Sequence, residues 1–230
     1  MGITITFVIA LLVIIGFAIK LYFDTSRVKE NKLTTRFIAR VAIFGALSAI
    51  LYIVPFLKFP VPFFPSFLEF HFDEIPVFIA SFAYGPFSGI CILLVKTILK
   101  FPFTTTACVG EIADFIFSFV FIIPAAIIYK KHRSFKFVAL GLSIGLFLQL
   151  LFSIIGNVYV IFPFYMKMLS MSESALLAVC RIANPAINDV RWSVGFLAVL
   201  PFNVIKDAAV ILVTLLVYKT THQLIDKIAK

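Results

Sequence analysis

The hydrophobic pattern of the chain consists of long apolar runs separated by short polar stretches, several of them basic. A run of about 20 apolar residues is long enough to cross a lipid bilayer as a helix. The pattern therefore predicts an all-α polytopic membrane protein with a six-helix transmembrane bundle in residues 33–230. It also predicts an extra N-terminal transmembrane helix and a basic cytoplasmic linker in residues 1–32. The predicted helices cover residues 3–23, 37–57, 74–84, 87–101, a run that ends at Lys130, 137–162 and 192–218.

The composition agrees with a membrane protein. Hydrophobic residues make up 62% of the chain, charged residues 13%, and the mean hydropathy is +1.11, which leaves too few polar groups for a water-soluble surface. The formal net charge is +9, but the basic residues lie between the apolar runs, as the positive-inside rule describes, and form no nucleic-acid groove. We therefore expect a multi-pass protein of the cell membrane, in contact with lipid, with no nucleic-acid partner and a cytoplasmic C-terminus.

The connection at residues 58–73 is apolar but contains three prolines and six phenylalanines. Prolines at this density exclude a helix. We predict that the connection folds back as a lid over the external mouth of the bundle. His71 stands alone there, and we interpret it as an interfacial side chain and not a metal ligand. Three widely spaced cysteines form no CxxC or Cys/His pairing, so we expect neither a disulfide nor a metal site.

A polar stretch, PFTTTACVGEIAD, precedes the fourth helix of the bundle. Its threonines can cap the helix by accepting hydrogen bonds from free backbone N–H groups. Glu111 and Asp114 are three residues apart and so share one helix face. They either stabilise the N-terminal end of the helix or face a central polar cavity, neutralised there by Lys96 or Lys206.

The last apolar run contains the sequence PFNVIKD, in which Asn203 and Lys206 share one helix face. A charge inside a membrane span costs at least a few kcal/mol unless it faces a cavity or a partner. Together with Asn157 and Glu111, these residues are expected to converge on the external half of the bundle under the lid. A few polar groups in an aromatic cavity are typical of a site for a flat, partly polar small molecule.

Catalytic and nucleotide-binding motifs are absent from the sequence. It contains no GxxxxGK[ST], HExxH or GxSxG and no clustered His and Cys residues. The chain is therefore predicted to be a transport subunit without its own ATPase motif, and not an enzyme, with no cofactor and no metal.

Small residues form a stripe on the first helix of the bundle, at Ala42, Gly45, Ala46 and Ala49. Small side chains let helices approach each other closely in lipid, where no hydrophobic effect drives association. The stripe predicts either packing against a neighbour in the same chain or a docking face for a separate membrane subunit.

From residue 36 to residue 225 the chain resembles the riboflavin-specific substrate-binding (S) component of energy-coupling factor (ECF) transporters. The resemblance implies a membrane-embedded binding protein that captures riboflavin from outside. It implies delivery of the vitamin through a shared module of one transmembrane coupling subunit and two ATPase subunits. The matching segments, in order, are KFPVPFFPSFLEFHFDEIPVFIASFAYGP, TTTACVGEIADF, NVYVIFPFY, RIANPAIND and LPFNVIKD.

The resemblance also assigns roles to individual residues. Asn157, Asn203 and Lys206 match positions that hold the flavin, and they would meet the carbonyl and nitrogen edge of the ring. Ala42 and Ala46 match the AxxxA that contacts the coupling subunit.

Other positions complete the expected flavin site or depart from the family pattern. The ring would lie among lid side chains such as Leu68 and Phe70, with Glu111 or Thr106 at the ribityl hydroxyls. Asp207 stands where a small residue is expected, and it is either the counter-ion of Lys206 or a variation particular to this chain. The helix at residues 3–23 lies outside the family core.

Three other functions remain open on the sequence alone. One is an S component for a different vitamin or a nucleoside-like compound, because the same scaffold accommodates different pockets. Another is a self-sufficient proton-coupled carrier with Glu111, Asp114 or Asp207 as its proton site. The third is a structural membrane subunit whose polar residues only pack helices.

Overall fold

Helices dominate the structure, a computed structural model. The described residues are Val13, Gly16, Phe17, Ile19, Lys20, 34–65, 67–168, 170 and 172–228. The helices are α1 (Thr35–Ile53), α2 (Glu74–Tyr84), α3 (Pro86–Lys100), α4 (Val109–Lys131), α5 (Phe135–Gly156), α6 (Phe162–Met168), α7 (Glu173–Ala183), α8 (Trp192–Val194) and α9 (Leu200–Ile228). Two π turns, Asn157–Ile161 and Gly195–Val199, join α5 to α6 and α8 to α9.

Five helical stretches within the described residues are long and apolar enough to cross a membrane. With the shorter apolar helix α2, they make the predicted six-helix bundle, so the all-α polytopic fold is confirmed. The predicted helix at residues 3–23 lies mostly outside the described residues. The five stretches are Thr35–Ile53, Pro86–Phe103, Val109–Lys131, Phe135–Met168 and Trp192–Gln223.

Helix α2 is the centre of the bundle. Its eleven residues are too few to span a bilayer, and it packs against α1, α3, α4 and α9. Val77, Phe78 and Ala80 are fully buried. Gly85 adopts φ 91°, a conformation that suits glycine, and Pro86 begins α3 directly after it. The tight turn expected between these two helices is present.

Glycines bring α4 and α5 into close contact. A Cβ atom at Gly145 would lie 2.1 Å from the carbonyl oxygen of Phe121, and one at Gly141 would lie 2.8 Å from Cα of Ala125. Gly141 and Gly145 are four residues apart and therefore form one smooth face of α5. This contact fixes α4, which presents Glu111 and Asp114, against α5.

The small-residue stripe of α1 has one buried edge and one exposed edge. Gly45 and Ala49 are buried, and a Cβ atom at Gly45 would lie 2.6 Å from Cγ1 of Val95 in α3. Packing within the chain therefore explains these two residues. Ala42 and Ala46 are exposed along the neighbouring edge of the same stripe.

The connection between α1 and α2 forms a short antiparallel ribbon. Strand β1 (Phe59–Pro60) pairs with β2 (Glu69–Phe70), and Lys58 Nζ lies 2.6 Å from Glu69 Oε2. The ring of Phe64 contacts Phe202 edge to face, and the ring of Phe67 contacts Phe162 in the same way. We call residues 58–73 the lid. It lies across the ends of the α5–α6 and α8–α9 helices, as the proline pattern predicts.

Two helices are longer than predicted, and both contain proline. The helix expected to end at residue 162 continues to Met168, past Pro163, and the last helix continues past residue 218 to Ile228. Pro163 and Pro201 each follow a π turn within two residues. Proline has no backbone N–H and cannot donate the regular helical hydrogen bond. A π turn widens the helix and changes the hydrogen-bond register, so the helix can continue past the proline. Pro163 was therefore wrongly taken as the end of a helix.

Candidate functional site

A cavity of about 310 Å³ lies beneath the lid, between the C-terminal parts of α3 and α5 and the beginnings of α4 and α9. Its walls combine aromatic rings with polar and charged side chains. The lining residues are Tyr52, Lys58, Phe67, Leu68, Glu69, His71, Glu74, Lys100, Phe103, Thr105, Thr106, Gly110, Glu111, Ala113, Asp114, Phe117, Gln149, Asn157, Ile161, Tyr165, Phe202, Asn203 and Lys206.

The structure brings six of the seven predicted binding residues to this cavity. Phe70 is the exception, because it is buried behind Phe202 and packs edge to face on that ring and on Phe72. The six residues that line the cavity are Leu68, Thr106, Glu111, Asn157, Asn203 and Lys206.

Two of the polar residues are positioned by the π turns. Asn157 begins the first turn, and Asn203 follows the second by four residues. The side-chain amide of each donates to the carbonyl oxygen four residues earlier, at 2.8 Å, to Ser153 and Val199 respectively. π turns are frequent at functional sites because they shift side chains out of regular helical register. Both asparagines are thereby held at fixed angles at the cavity wall.

Gln149 of α5 joins the site through Asn203. Its Nε2 donates to Asn203 Oδ1 at 3.3 Å, and its own Oε1 is buried without a hydrogen-bond partner among the described residues. An unpaired buried carbonyl costs about 1–3 kcal/mol, which a ligand donor would recover. Gln149 was not among the predicted site residues, although an amide in the middle of an apolar run is a usable signal.

Lys206 is paired with Glu74 of α2. Its Nζ lies 2.5 Å from Glu74 Oε1, and both side chains are almost completely buried. The two residues are 132 positions apart in the chain. Lys206 therefore does not rely on Asp207, which was one of the two roles predicted for that residue. Both carboxylate oxygens of Asp207 are buried and have no hydrogen-bond partner among the described residues.

A second buried lysine organises the carboxylates of the lid and of α4. Lys96 is fully buried and contacts Asp73, and its Nζ lies 2.8 Å from Asp114 Oδ2. The hydroxyl of Ser48 donates to the Asp73 carbonyl oxygen at 2.7 Å. Lys96 thus neutralises Asp114, as one interpretation of the sequence proposed, and it ties α3, α4 and the lid together.

His71 is not an interfacial side chain as predicted. It is buried, and its Nδ1 contacts the carboxylate of Asp73. Burial by itself would raise the pKa of the Asp73 carboxyl, but the neighbouring charges of His71 and Lys96 outweigh this effect and hold that pKa well below its usual range. Asp73 is therefore charged at neutral pH.

His71, Asp73 and Glu74 have the geometry of a metal site, because their ligand atoms lie within 4.8 Å of one another. The ammonium groups of Lys96 and Lys206, however, contact Asp73 and Glu74 directly. Two positive charges at that position repel a divalent cation. We interpret the cluster as an ion-pair network.

Glu111 combines the two roles considered for it. It is buried, near the start of α4, and accepts hydrogen bonds from the hydroxyls of Thr104 at 2.8 Å and Thr106 at 2.9 Å. Thr106 Oγ1 in turn accepts from the backbone N–H of Gly110 at 3.1 Å, so the threonine caps the helix as predicted. The carboxylate nevertheless lines the cavity and can accept further hydrogen bonds there.

An aromatic ring completes the charged wall of the cavity. Tyr52 of α1 lies with its ring centre 5.0 Å from the Nζ atoms of both Lys96 and Lys100, and its ring packs on His71. Cation–π contacts of this kind keep the lysines close to an apolar surface without removing their charge.

Comparisons with known proteins agree with this architecture. The family model "ECF transporter, substrate-specific component" matches residues 36–218. The chain is 30% identical over 199 residues to the riboflavin transporter RibU of Staphylococcus aureus (strain TCH60), with 86% of this chain and 98% of that protein covered. It is 29% identical over 185 residues to the riboflavin transporter FmnP of Bacillus subtilis (strain 168), with 79% and 90% covered.

A solved structure is similar as well. It is described as the S component of a bacterial ECF transporter, and it superposes with a TM-score of 0.60 and 28% identity. The match covers 82% of this chain and 96% of the solved chain. The helices that form the cavity thus belong to a shared fold.

Proposed function

This chain belongs to the family of the substrate-specific components of ECF transporters, and from that premise we propose that it is the riboflavin-binding subunit of an ECF-type ABC transporter. The observation that supports the proposal is the cavity under the lid, where six residues expected to hold riboflavin lie together. Relatives named riboflavin transporters match the chain over most of its length.

The chemistry of the cavity suits a flavin. Lys206 is a donor and therefore fits the carbonyl-rich edge of the ring. Asn157 and Asn203 offer both donors and acceptors beside it, on the same wall. The rings of Phe67 and Phe202 supply flat apolar surface for the tricyclic system.

The opposite wall suits the sugar-alcohol chain of riboflavin. Glu111 is a pure acceptor, and Thr106 is both a donor and an acceptor. Ribityl hydroxyls can therefore donate to Glu111 and exchange hydrogen bonds with the threonine. In this arrangement the flavin is the transported ligand and not a cofactor.

Transport requires partners that supply the energy. The sequence has no motif that cradles the phosphates of ATP, so we assign ATP hydrolysis to two ATPase subunits and the contact with them to a transmembrane coupling subunit. The exposed pair Ala42 and Ala46 on α1 is the proposed contact with the coupling subunit.

The orientation follows from the basic residues. Lys130, Lys131, Arg133 and Lys136 lie between α4 and α5, and Lys219 lies towards the end of α9. The positive-inside rule assigns both positions to the cytoplasm. The C-terminus is then cytoplasmic, and the lid and cavity face outside.

Titration of the purified protein with riboflavin tests this function, with thiamine and biotin as controls. We expect saturable quenching of flavin fluorescence at one site per chain and no competition from the control vitamins. In vesicles, uptake should require the coupling subunit, both ATPases and ATP. Absence of riboflavin binding would overturn the ligand assignment, and uptake by the chain alone on a proton gradient would overturn the mechanism.

A further inference from the structure

Asp207 is the one acidic side chain that is buried without a hydrogen bond or an ion pair among the described residues. Its side chain is fully buried, and neither carboxylate oxygen has a hydrogen-bond partner in the described part of the chain. A bare carboxylate in an apolar interior costs many kcal/mol, and such a group binds a proton instead.

Asp207 forms no ion pair or side-chain hydrogen bond within the described part of the chain. Lys206 precedes it on α9, but its ammonium group lies on Glu74 of α2 at 2.5 Å. Asp114 of α4 is the other charged group close enough to act on Asp207, and it is negative as Glu74 is. Helix α5 also packs against α9, and it has no charged residue between Lys136 and Lys167.

The buried lysines of this region are already paired with other acids. Lys206 contacts Glu74, and Lys96 contacts both Asp73 and Asp114. Three carboxylates thus share two ammonium groups. An ionised Asp207 would add a further negative charge to a cluster that already holds more carboxylates than ammonium groups.

We propose that Asp207 is a proton-binding site, and that its carboxyl is held protonated at neutral pH beside the Lys206–Glu74 pair. This proton site is present in the folded protein without any ligand. It therefore goes beyond the proposed function, because it does not require riboflavin. Its proton keeps Lys206 paired with Glu74 at the cavity wall, since a charged Asp207 would compete for the same ammonium group.

Infrared spectroscopy of the ligand-free protein observes this proton directly. The sample is the full chain in a detergent without ester carbonyl groups, in H₂O and in D₂O. We expect a carboxylic-acid C=O band above the amide I region that shifts to lower frequency in D₂O. Asp207→Asn should remove it, and the matched substitution Glu69→Gln should retain it. A band retained in Asp207→Asn would overturn the proposal, as would no such band.

The pH dependence of stability gives a second, independent test. The Asp207 carboxyl is exposed and ionised in the unfolded chain above about pH 4, so folding takes up one proton. Relative to Asp207→Asn, the unfolding equilibrium constant of the natural protein should therefore rise about tenfold per pH unit between about pH 5 and pH 7. The asparagine variant should become progressively the more stable of the two.

An ionised Asp207 that pairs with Lys206 predicts the opposite sign. Replacement by asparagine would then destabilise the protein at neutral pH, and the difference would shrink as the pH falls. Either that result or parallel pH profiles for the two proteins would overturn the proposal. Both measurements are made without riboflavin, so their outcome is separate from that of the vitamin-binding test.

Discussion

Lys206 provides the sharpest test of the site at the scale of single residues. Replacement by methionine retains the apolar stem and removes the only donor that this position offers to a flavin carbonyl. We expect riboflavin affinity to fall about 10–100-fold, because one buried hydrogen bond contributes about 1–3 kcal/mol. Fluorescence titration of the folded variant measures it. Lys219→Met, at an exposed position of the same helix, is the control. Equal affinity of the two variants would remove Lys206 from the site.

The stability of the bundle depends on both partners of the Lys206–Glu74 pair. Glu74→Leu leaves a buried ammonium group without a counter-charge, and we expect the free energy of unfolding to fall by about 3–5 kcal/mol. Adding Lys206→Met should restore most of this loss, because the unpaired ammonium group is then removed as well. Glu69→Leu, which breaks the half-exposed pair with Lys58, should cost about 1 kcal/mol or less. A double variant as unstable as Glu74→Leu would contradict the pairing.

Of the buried Lys206–Glu74 pair, only Lys206 was predicted from the sequence, whereas Lys96 was predicted as a partner of Asp114. Lys206 stood out because a charge inside an apolar run needs a reason. Glu74 is the first residue of a short helix, directly after the lid, where an acid is unremarkable. Their contact joins positions 132 residues apart, and no local pattern reports a contact of that kind. Asp207, adjacent in the chain, was therefore considered as the counter-ion.

At the scale of the elements, the π turns explain where the pattern failed. Proline normally ends or kinks a helix, so Pro163 indicated the end of a span that in fact continues to Met168. The lengths of the apolar runs predicted every helix of the bundle. They do not indicate the one-residue insertions that produce a π turn. Those insertions set the angles of Asn157 and Asn203, so their presence at the site was predictable and their hydrogen bonds were not.

The contact between α4 and α5 is a second feature at this scale. Gly145→Ala places a Cβ atom within 2.1 Å of the Phe121 carbonyl oxygen, so the helices must separate. We expect a loss of about 1–3 kcal/mol in stability, measured by thermal unfolding in detergent. Ser143→Ala, two residues away on the exposed side of the same helix, is the control and should change little. If both variants unfold alike, the close contact does not support the bundle.

At the scale of the whole molecule, the exposed pair on α1 connects binding to transport. Ala46→Leu adds bulk on the outer face of α1 without touching the cavity. We expect riboflavin affinity to stay within twofold, and assembly with the coupling subunit and uptake to fall at least tenfold, because close backbone approach between helices depends on small residues. Copurification and vesicle uptake are the measurements.

Ala208→Leu, at an exposed alanine of α9, is the matched control for that experiment. It should leave both assembly and uptake unchanged. Uptake that survives Ala46→Leu would assign the docking surface to another face. The whole-molecule fold was largely predictable, since apolar length, basic connections and the proline-rich lid each report on position in the membrane without knowledge of any contact.

The absorption spectrum of the purified protein tests the central claim, that the cavity under the lid holds riboflavin. Protein produced with riboflavin in the medium and purified without it should be yellow, with flavin bands that correspond to about one flavin per chain. Lys206→Met, purified in the same way, should retain far less flavin. A colourless natural protein that also fails to take up added riboflavin would contradict the account.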